Sequence, residues 1–428
     1  MMNTKILTGL LLTLAFSSWA QQELNSTFPV KWKTDIGITT YRTNIVEHKG
    51  LIYIGSNGID REAKIDSKDG VYAIDPKNGQ IVHHYKIPFA GDNDVTGIAL
   101  SEDKLFFGSD NYYFFCYDIK THKELWKYPL PYDVESSPVI ADFNGDKVND
   151  VAFNVQYSGF YALNGINGEL LWVSAHINSH DGNVSPVLLD LNKDGVMDII
   201  TSGRGEPNSN EIDGFKMAHY GDYHFALNGK NGEILWSIPT GAGVHASPFV
   251  YKSPKGIEIY LIDSYGELNV VDESGKILKG GYVGYGVFSS PVVTNDHHLV
   301  IGQFSFNIKH ENFIRENEDS PYYLSNTVAS QSAGINGTIS ATSMIADVLN
   351  LGKPQIVGVD EEGILFISTT DGKVIHKYKI PKGAEASLFI KDIDNDGKLE
   401  ILLASLDGKL YCYGTKSSGK IEFGQFKN

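Results

Sequence analysis

The chain has 428 residues, with 52 Asp and Glu against 36 Lys and Arg, so its formal net charge is −16. That surplus of acid argues against nucleic-acid binding and against docking on anionic lipid, because both need a basic footprint. The 44 glycines, 23 tyrosines and 21 phenylalanines beside only 15 prolines are typical of a folded, turn-rich, aromatic β protein.

The first twenty residues have the pattern of a secretory signal peptide. A single cation, Lys5, precedes an apolar run at residues 6–16, and Ser18-Trp19-Ala20 is a small–x–small cleavage site. The apolar run is about half the length that a membrane span requires. We therefore expect residues 1–20 to be removed, a folded domain over residues 21–428, no membrane span, and a periplasmic or secreted (extracellular) protein.

The rest of the chain repeats one pattern. An apolar–aromatic strand, a short turn and a glycine recur, most clearly at residues 71–79, 160–168 and 225–232. A second marker, a small residue before Pro or an apolar residue, opens a strand in eight places. These are Asn44-Ile45, Gly97-Ile98, Ser137-Pro138, Ser185-Pro186, Ser247-Pro248, Ser290-Pro291, Ser343-Met344 and Ser387-Leu388.

Both markers indicate eight units of about 50 residues, each with turn signals that separate four short strands. This spacing predicts an all-β fold, a single β-propeller of eight four-stranded blades. Seven blades remain the alternative, because the sixth unit is degraded. In this register Trp126, Trp172 and Trp236 occupy one equivalent position, where a tryptophan would pack between adjacent blades.

Three segments have a family resemblance. Residues 160–172 read FYALNGINGELLW, residues 224–236 read HFALNGKNGEILW, and residues 136–153 read SSPVIADFNGDKVNDVAF. They resemble the quinoprotein-like (PQQ-binding-like) and FG-GAP families of β-propeller repeats. The resemblance implies a propeller over nearly the whole mature chain. It leaves the activity open, because this fold hosts enzymes, scaffolds and adhesion modules.

Three acidic loops, in the third, fourth and eighth units, predict metal sites. Each places side-chain oxygens at positions 1, 3, 5 and 9 and a backbone carbonyl at position 7, a set that suits Ca²⁺. FG-GAP repeats, which these loops resemble, use calcium structurally. We therefore expect about three structural Ca²⁺ sites and no organic cofactor; a solvated Asx turn is the alternative. The predicted ligands are Asp142, Asn144, Asp146, Val148 and Asp150; Asp190, Asn192, Asp194, Val196 and Asp198; and Asp392, Asp394, Asp396, Lys398 and Glu400.

Strand alternation assigns each connection to one face of the ring. First-to-second and third-to-fourth connections share the face of the acidic loops, which we call the acidic-loop face. Second-to-third and blade-to-blade connections form the opposite face, which we call the insert face. Long inserts at residues 57–69, 203–223 and 305–332 are all expected there, and long ordered loops are often functional. The candidate ligand-binding residues on this face are Arg204, His219, Tyr220, His180 and His245.

Three functions remain open. The favoured one is a secreted or periplasmic calcium-binding propeller, most simply a monomer, that acts as a binding or scaffold module for a protein or glycan. The alternative is a glycan-degrading enzyme of polysaccharide-lyase type. A quinone-dependent dehydrogenase is less favoured, because many of these use a vicinal disulfide and a tryptophan under the cofactor. Cys116 and Cys412 lie in non-neighbouring units, where we expect no disulfide, and the candidate face has no tryptophan.

Two terminal segments compete to close the ring. Residues 30–33 and residues 420–423 each read as a strand without a blade of its own. Either could complete the last blade, and the other would then be an extra outer strand.

Overall fold

Four-stranded antiparallel sheets repeat eight times along the chain in the computed structural model and close into a ring. The structure describes residues 22–426 apart from 60–66, 90, 176, 178–183, 206–208, 213–214, 219–220, 254, 285–286, 310–312, 315–321, 325–330 and 333–334. First strands contact each other between blades 1 and 2, blades 2 and 3, and blades 7 and 8, so the first strands lie along the inner wall. The predicted eight-bladed all-β propeller is confirmed, and the seven-bladed alternative is wrong.

The blades follow one another round the ring in chain order, and each runs outward from its first strand to its fourth. Blades 1 to 4 are Ile45–His48, Leu51–Ser56, Gly70–Ile74 and Ile81–Tyr85; Ile98–Ser101, Lys104–Ser109, Tyr113–Asp118 and Lys123–Pro129; Val139–Ala141, Asp150–Val155, Gly159–Leu163 and Leu170–Ser174; and Val187–Leu189, Asp198–Gly205, Gly221–Leu227 and Ile234–Pro239. Blades 5 to 8 are Phe249–Ser253, Gly256–Ile262, Glu267–Val271 and Ile277–Tyr282; Val292–Val293, His298–Ile301, Phe304–Asn307 and Gln331–Ser332; Met344–Ala346, Gln355–Val359, Ile364–Thr369 and Val374–Lys379; and Phe389–Lys391, Glu400–Ser405, Lys409–Gly414 and Val30–Asp35. A short helix, Leu24–Thr27, precedes the closing strand, and no helix among the described residues is long and apolar enough to cross a membrane.

Each predicted interblade tryptophan packs on a glycine of the next blade. A Cβ built on Gly168 would lie 2.6 Å from the Trp126 ring, and one on Gly232 would lie 2.5 Å from the Trp172 ring. The Trp172 indole also donates a hydrogen bond of 2.8 Å to the carbonyl of Gly229. The packing of a tryptophan ring on a glycine recurs in Trp236, as predicted, and in Trp32 of the closing strand. The repeated Gly and Trp positions of the sequence are therefore the two sides of one interface.

The amino-terminal strand closes the ring. Val30–Asp35 pairs antiparallel with Lys409–Gly414 and completes blade 8. The expectation that the carboxyl-terminal strand would then be an extra outer strand is wrong. Ile421–Phe423 instead pairs with Met344–Ala346, the inner strand of blade 7. The reason is that the tail turns back over the acidic-loop face, where the amide of Asp347 donates to the carbonyl of Lys420.

The inserts follow the prediction in blades 1 and 4 but not in blade 6. Residues 57–69 and 203–223 connect second to third strands, and the latter includes the hairpin Ser209–Ile212 and Phe215–Ala218. In blade 6 the second and third strands meet at a turn of only two residues, Gly302-Gln303. The long insert therefore joins the third strand to the fourth, at the acidic-loop face, and its strands Phe313–Ile314 and Tyr322–Leu324 extend the outer edge of blade 5.

Candidate functional site

The acidic loops of blades 3 and 4 are held by their own carboxylates. Asp142 accepts hydrogen bonds from the backbone amides of residues 145, 146 and 147, and Asn144 and Asp146 each accept one from the amide two residues on. Asp190, Asn192 and Asp194 repeat most of these contacts in blade 4. Both loops are therefore tight turns held by their own side-chain oxygens, and the metal sites predicted for them stay a prediction.

The ninth position of each loop has a second task. Asp150 is fully buried, and its carboxylate accepts hydrogen bonds from the amides of Phe143, Asn144 and Gly165. Asp198 makes the equivalent contacts in blade 4. Burial raises the pKa of Asp150, and the three amide hydrogen bonds oppose that rise. This residue ties the loop to the turn between the third and fourth strands of the same blade.

The loop of blade 8 gathers its acids most closely. Asp392, Asp394 and Glu400 each offer an oxygen, and these three atoms lie within 4.8 Å of one another, which fits a hard cation. The Nζ of Lys31, from the closing strand, lies 2.5 Å from Asp394 and 3.1 Å from both Asp396 and Glu400. Partial burial lowers the pKa of Lys31, but the three hydrogen bonds to carboxylates outweigh it and raise the pKa overall. An ammonium group and a bound Ca²⁺ would therefore compete for the same carboxylates.

Two of the five candidate residues on the insert face can be located. Arg204 lies at the end of the second strand of blade 4, opposite Asp222. His245 lies in the connection from blade 4 to blade 5, with its ring stacked 4.7 Å from that of Phe288. Phe288 in turn meets Tyr41, from the connection between blades 8 and 1, at 5.8 Å. His180, His219 and Tyr220 lie outside the described residues.

A recess of about 400 Å³ lies beside this aromatic stack. Its walls come from the connection between blades 5 and 6, the tight turn of blade 6 and the connection between blades 6 and 7. They include Val287, Phe288, Ile301, Gln303, Phe304 and Ile339. A cleft of this size with apolar walls and a few polar groups is typical of ligand sites.

Exposed tyrosines cluster on the insert face. The five described tyrosines that rank among the exposed large apolar side chains all lie in connections of this face or at the strand end that leads into it. They are Tyr112, Tyr132, Tyr157, Tyr265 and Tyr282, exposed by 40 to 57%. The Tyr132 ring lies 6.4 Å from Tyr112 and 5.4 Å from Tyr157, so three of them form a row across blades 2 and 3. None of these five is among the candidate residues that the sequence predicts for this face.

Two groups of carboxylates adjoin this tyrosine row. Asp69, Asp92 and Asp94 form one group and Asp110, Asp133 and Glu135 form the other, each with ligand oxygens within 4.8 Å of one another. Desolvation, reinforced by neighbouring acids, raises the pKa of Asp94 to about 8 and that of Asp110 to about 9. Glu135 pairs with Arg42. Sequence reasoning missed both groups, because their members come from four connections that only the ring brings together.

Two family models match parts of the chain. Residues 90–206 match the model described as outer membrane protein assembly factor BamB, and residues 355–428 match the lambda-carrageenase beta-propeller domain. No curated protein matches the whole sequence significantly.

Solved structures match most of the ring. BamB from Moraxella catarrhalis is 13% identical, with a TM-score of 0.58 over 89% of this chain and 99% of that one. The quinohemoprotein alcohol dehydrogenase ADHIIG from Pseudomonas putida HK5 is 11% identical, with a TM-score of 0.59 over 93% and 77%. Sqt1 from Saccharomyces cerevisiae is 11% identical, with a TM-score of 0.60 over 91% and 100%. At these identities the likeness shows the fold alone.

The resemblance to quinoprotein-like repeats is confirmed by the BamB family match and by the fold, whereas the resemblance to FG-GAP repeats stays a prediction. The eight blades and their interblade Trp–Gly contacts make the chain an eight-bladed β-propeller, and its residues 90–206 are similar to the PQQ-like repeats of the BamB family model.

Proposed function

We propose that this chain is a binding or scaffold module that binds a partner protein through the insert face. The row of Tyr112, Tyr132 and Tyr157 beside the carboxylate groups is the observation that supports this most. Tyrosine offers a large contact area at low conformational cost and is enriched in binding surfaces. The adjoining carboxylates favour a partner with a basic segment, since complementary charge speeds encounter and fixes register.

One family match supports a protein partner. The family model that matches residues 90–206 is named for an assembly factor of outer membrane proteins. We further propose that the protein works in the periplasm or outside the cell, which the signal-like residues 1–20 support. Structural Ca²⁺ in the three acidic loops is part of the same proposal, and the donor sets of those loops support it.

A site-specific photocrosslinker tests the surface. We expect p-benzoylphenylalanine at Tyr132 to yield a discrete crosslinked protein in the producing cells. The control sites are Met197, 46% exposed on the acidic-loop face, and Leu235, 37% exposed on an outer strand. The affinity of the purified partner should fall about tenfold or more in a Tyr112→Ala/Tyr132→Ala variant. Equal crosslinking from Met197, or unchanged affinity in the tyrosine variant, would refute the proposal.

A glycan-degrading enzyme is the second candidate, because residues 355–428 match a propeller domain named for lambda-carrageenase. In that case the purified chain should release reducing ends or raise absorbance near 235 nm on acidic polysaccharides. Arg204→Ala should abolish that activity, whereas Leu235→Ala, on an outer strand, should leave it unchanged. Polymers left intact at all conditions would eliminate this candidate.

A quinone-dependent dehydrogenase has less support from the residues. The four described tryptophans, Trp32, Trp126, Trp172 and Trp236, all pack at blade interfaces. No tryptophan on the described part of the insert face is therefore placed to support a quinone ring. An absorbance spectrum of the protein purified from its own cells distinguishes this candidate from the other two.

A further inference from the structure

Three acids of the insert face converge below its surface. Asp69 ends the insert of blade 1, and Asp92 and Asp94 lie in the connection from blade 1 to blade 2. One oxygen from each lies within 4.8 Å of the others. Asp69 and Asp94 are each only 5% exposed, so this is a buried group rather than a solvated acidic patch.

A second observation indicates what the group binds. Asn57 is 5% exposed, and its Nδ2 donates a hydrogen bond of 2.8 Å to Asp94 Oδ2. The Oδ1 of the same amide is buried and accepts no hydrogen bond. Because Oδ1 and Nδ2 belong to one small amide group, this unsatisfied acceptor lies within about 5 Å of Asp94 Oδ2. A buried acceptor without a donor is costly, and further carboxylate oxygens cannot satisfy it, whereas a cation can.

The surrounding backbone holds these groups in place. The amide of Asn57 donates to the carbonyl of Ile38 at 3.0 Å, and the amide of Val95 donates to the carbonyl of Ser56 at 3.0 Å. Among the described residues, no lysine or arginine forms an ion pair with Asp92 or Asp94. Arg42, which enters the same face, is paired with Glu135 of the neighbouring group.

We propose that Asp69, Asp92, Asp94 and the side-chain carbonyl of Asn57 form a divalent-cation site that prefers Ca²⁺. Carboxylate and amide oxygens are hard ligands, and Ca²⁺ accepts six to eight of them in flexible geometry, with water completing the shell. Mg²⁺ demands a stricter octahedron and gives up its waters reluctantly. This site is separate from the three acidic loops, which lie on the opposite face, and it does not depend on the proposed binding function.

Counting bound ions tests the site. Calorimetric titration of the mature chain with Ca²⁺ should give one ion fewer per chain for Asp92→Asn/Asp94→Asn than for the wild type. Glu362→Gln, which removes an exposed acid from the same face outside the group, should leave the count unchanged. Neutralising Asp190 and Asp194 on the opposite face should not remove this ion. An equal count in the Asp92/Asp94 variant and the wild type overturns the proposal, and a site that fills with Mg²⁺ at equal affinity overturns its preference for Ca²⁺.

A measurement on the unaltered protein covers the case in which the double variant does not fold. Crystals of the wild type soaked in Tb³⁺, which replaces Ca²⁺ on oxygen ligands, should show an anomalous peak between Asp69, Asp92 and Asp94. Peaks at the acidic loops with none at this position would overturn the proposal. Partner crosslinking from Tyr132 is unaffected by either result, so failure of this site and failure of the proposed function are distinguishable.

Discussion

Replacing Lys31 with methionine removes an ammonium group from among the carboxylates of the blade 8 loop. The apolar stem is kept, and the hydrogen bonds to Asp394, Asp396 and Glu400 are lost. The Glu400 side chain is 1% exposed and that of Asp394 is 13% exposed, so their charges lose a partner in a partly desolvated place. The side chain of Lys31 is 28% exposed, which weakens the pairing by solvent screening.

The expected loss of stability lies between the loss on removing an exposed ion pair and the loss on breaking a buried one. We expect Lys31→Met to lower the free energy of unfolding by about 1–3 kcal/mol in EDTA. Added Ca²⁺ should stabilise Lys31→Met more than the wild type, because in the variant the ion no longer competes with an ammonium group, so the difference in stability should narrow. Each tenfold gain in affinity raises the stabilisation by saturating Ca²⁺ by about 1.4 kcal/mol.

Urea denaturation with and without added Ca²⁺, followed by circular dichroism, measures both effects. Lys33→Met is the matched control, since Lys33 lies exposed on the same strand and loses the same charge. The reasoning is refuted if Lys31→Met and Lys33→Met have equal stability in EDTA and gain equally from Ca²⁺.

Three other perturbations test separate features of the fold. Gly232→Ala should lower the free energy of unfolding by about 2–4 kcal/mol, because φ is +74° and the new Cβ would lie 2.5 Å from the Trp172 ring. Gly195→Ala, at φ +85° with open space round the new Cβ, should lower it by only about 1 kcal/mol. Equal urea midpoints for the two variants would contradict this. Burial lowers the pKa of His224 to about 3, whereas the pKa in the unfolded chain is near 6.5. The folded protein should therefore lose stability as pH falls from 6.5 towards 3, by up to about 1.4 kcal/mol per pH unit. His224→Gln should make stability depend less on pH in this range, and parallel profiles for variant and wild type would refute the prediction. Chelation should lower the melting temperature of the wild type, and an unchanged melting curve would end the case for structural calcium.

The sequence predicted those parts of the fold that depend on residues at the same position in every repeat. The glycine on which each interblade tryptophan packs and the small residue that opens each first strand recur because every blade interface poses the same packing problem. Those two markers were sufficient to count eight blades. The blade 6 insert was misplaced because the turn between the second and third strands, Gly302-Gln303, has only two residues and is easily passed over in the sequence.

The parts that the sequence did not predict depend on contacts between separate segments of the chain that only the fold brings together. Lys31 meets Asp394 across 363 residues of chain, a pairing that exists only because the first strand completes the last blade. The carboxylate groups have the same origin, since Asp69, Asp94 and Asp110 belong to three separate connections. No spacing rule along the chain marks such residues as neighbours, whereas the acidic loops are contiguous and were visible at once.

The loop of blade 7 occupies the position of the acidic loops but lacks their later acids. Asp347 keeps the first position of the pattern, but the carboxyl-terminal tail covers it. Its backbone amide donates to the carbonyl of Lys420, and Ser417 donates to its carbonyl. A Cβ on Gly419 would lie 2.5 Å from the Cβ of Asp347, so the tail fits only without a side chain there. The carboxyl-terminal tail thus packs against this loop, whereas an ion is predicted in the acidic loops of blades 3, 4 and 8.

Gly419→Val should therefore release the tail without unfolding the blades. The tail continues through Ile421–Phe423 to Phe426, which is 6% exposed and, with Phe423, lines a cavity of about 300 Å³ beside the inner strands of blades 4 and 5. Overpacking at residue 419 should raise the rate of trypsin cleavage after Lys420 by about tenfold or more, while the urea midpoint of the ring changes little. The control is Gly352→Ala, in the blade 7 loop that the tail covers, where φ is +75° and nothing lies within 4 Å of the new Cβ. If both variants are cleaved at the wild-type rate, the tail is held by contacts other than its close approach to Asp347, and the packing of the tail against the blade 7 loop is not what fixes it.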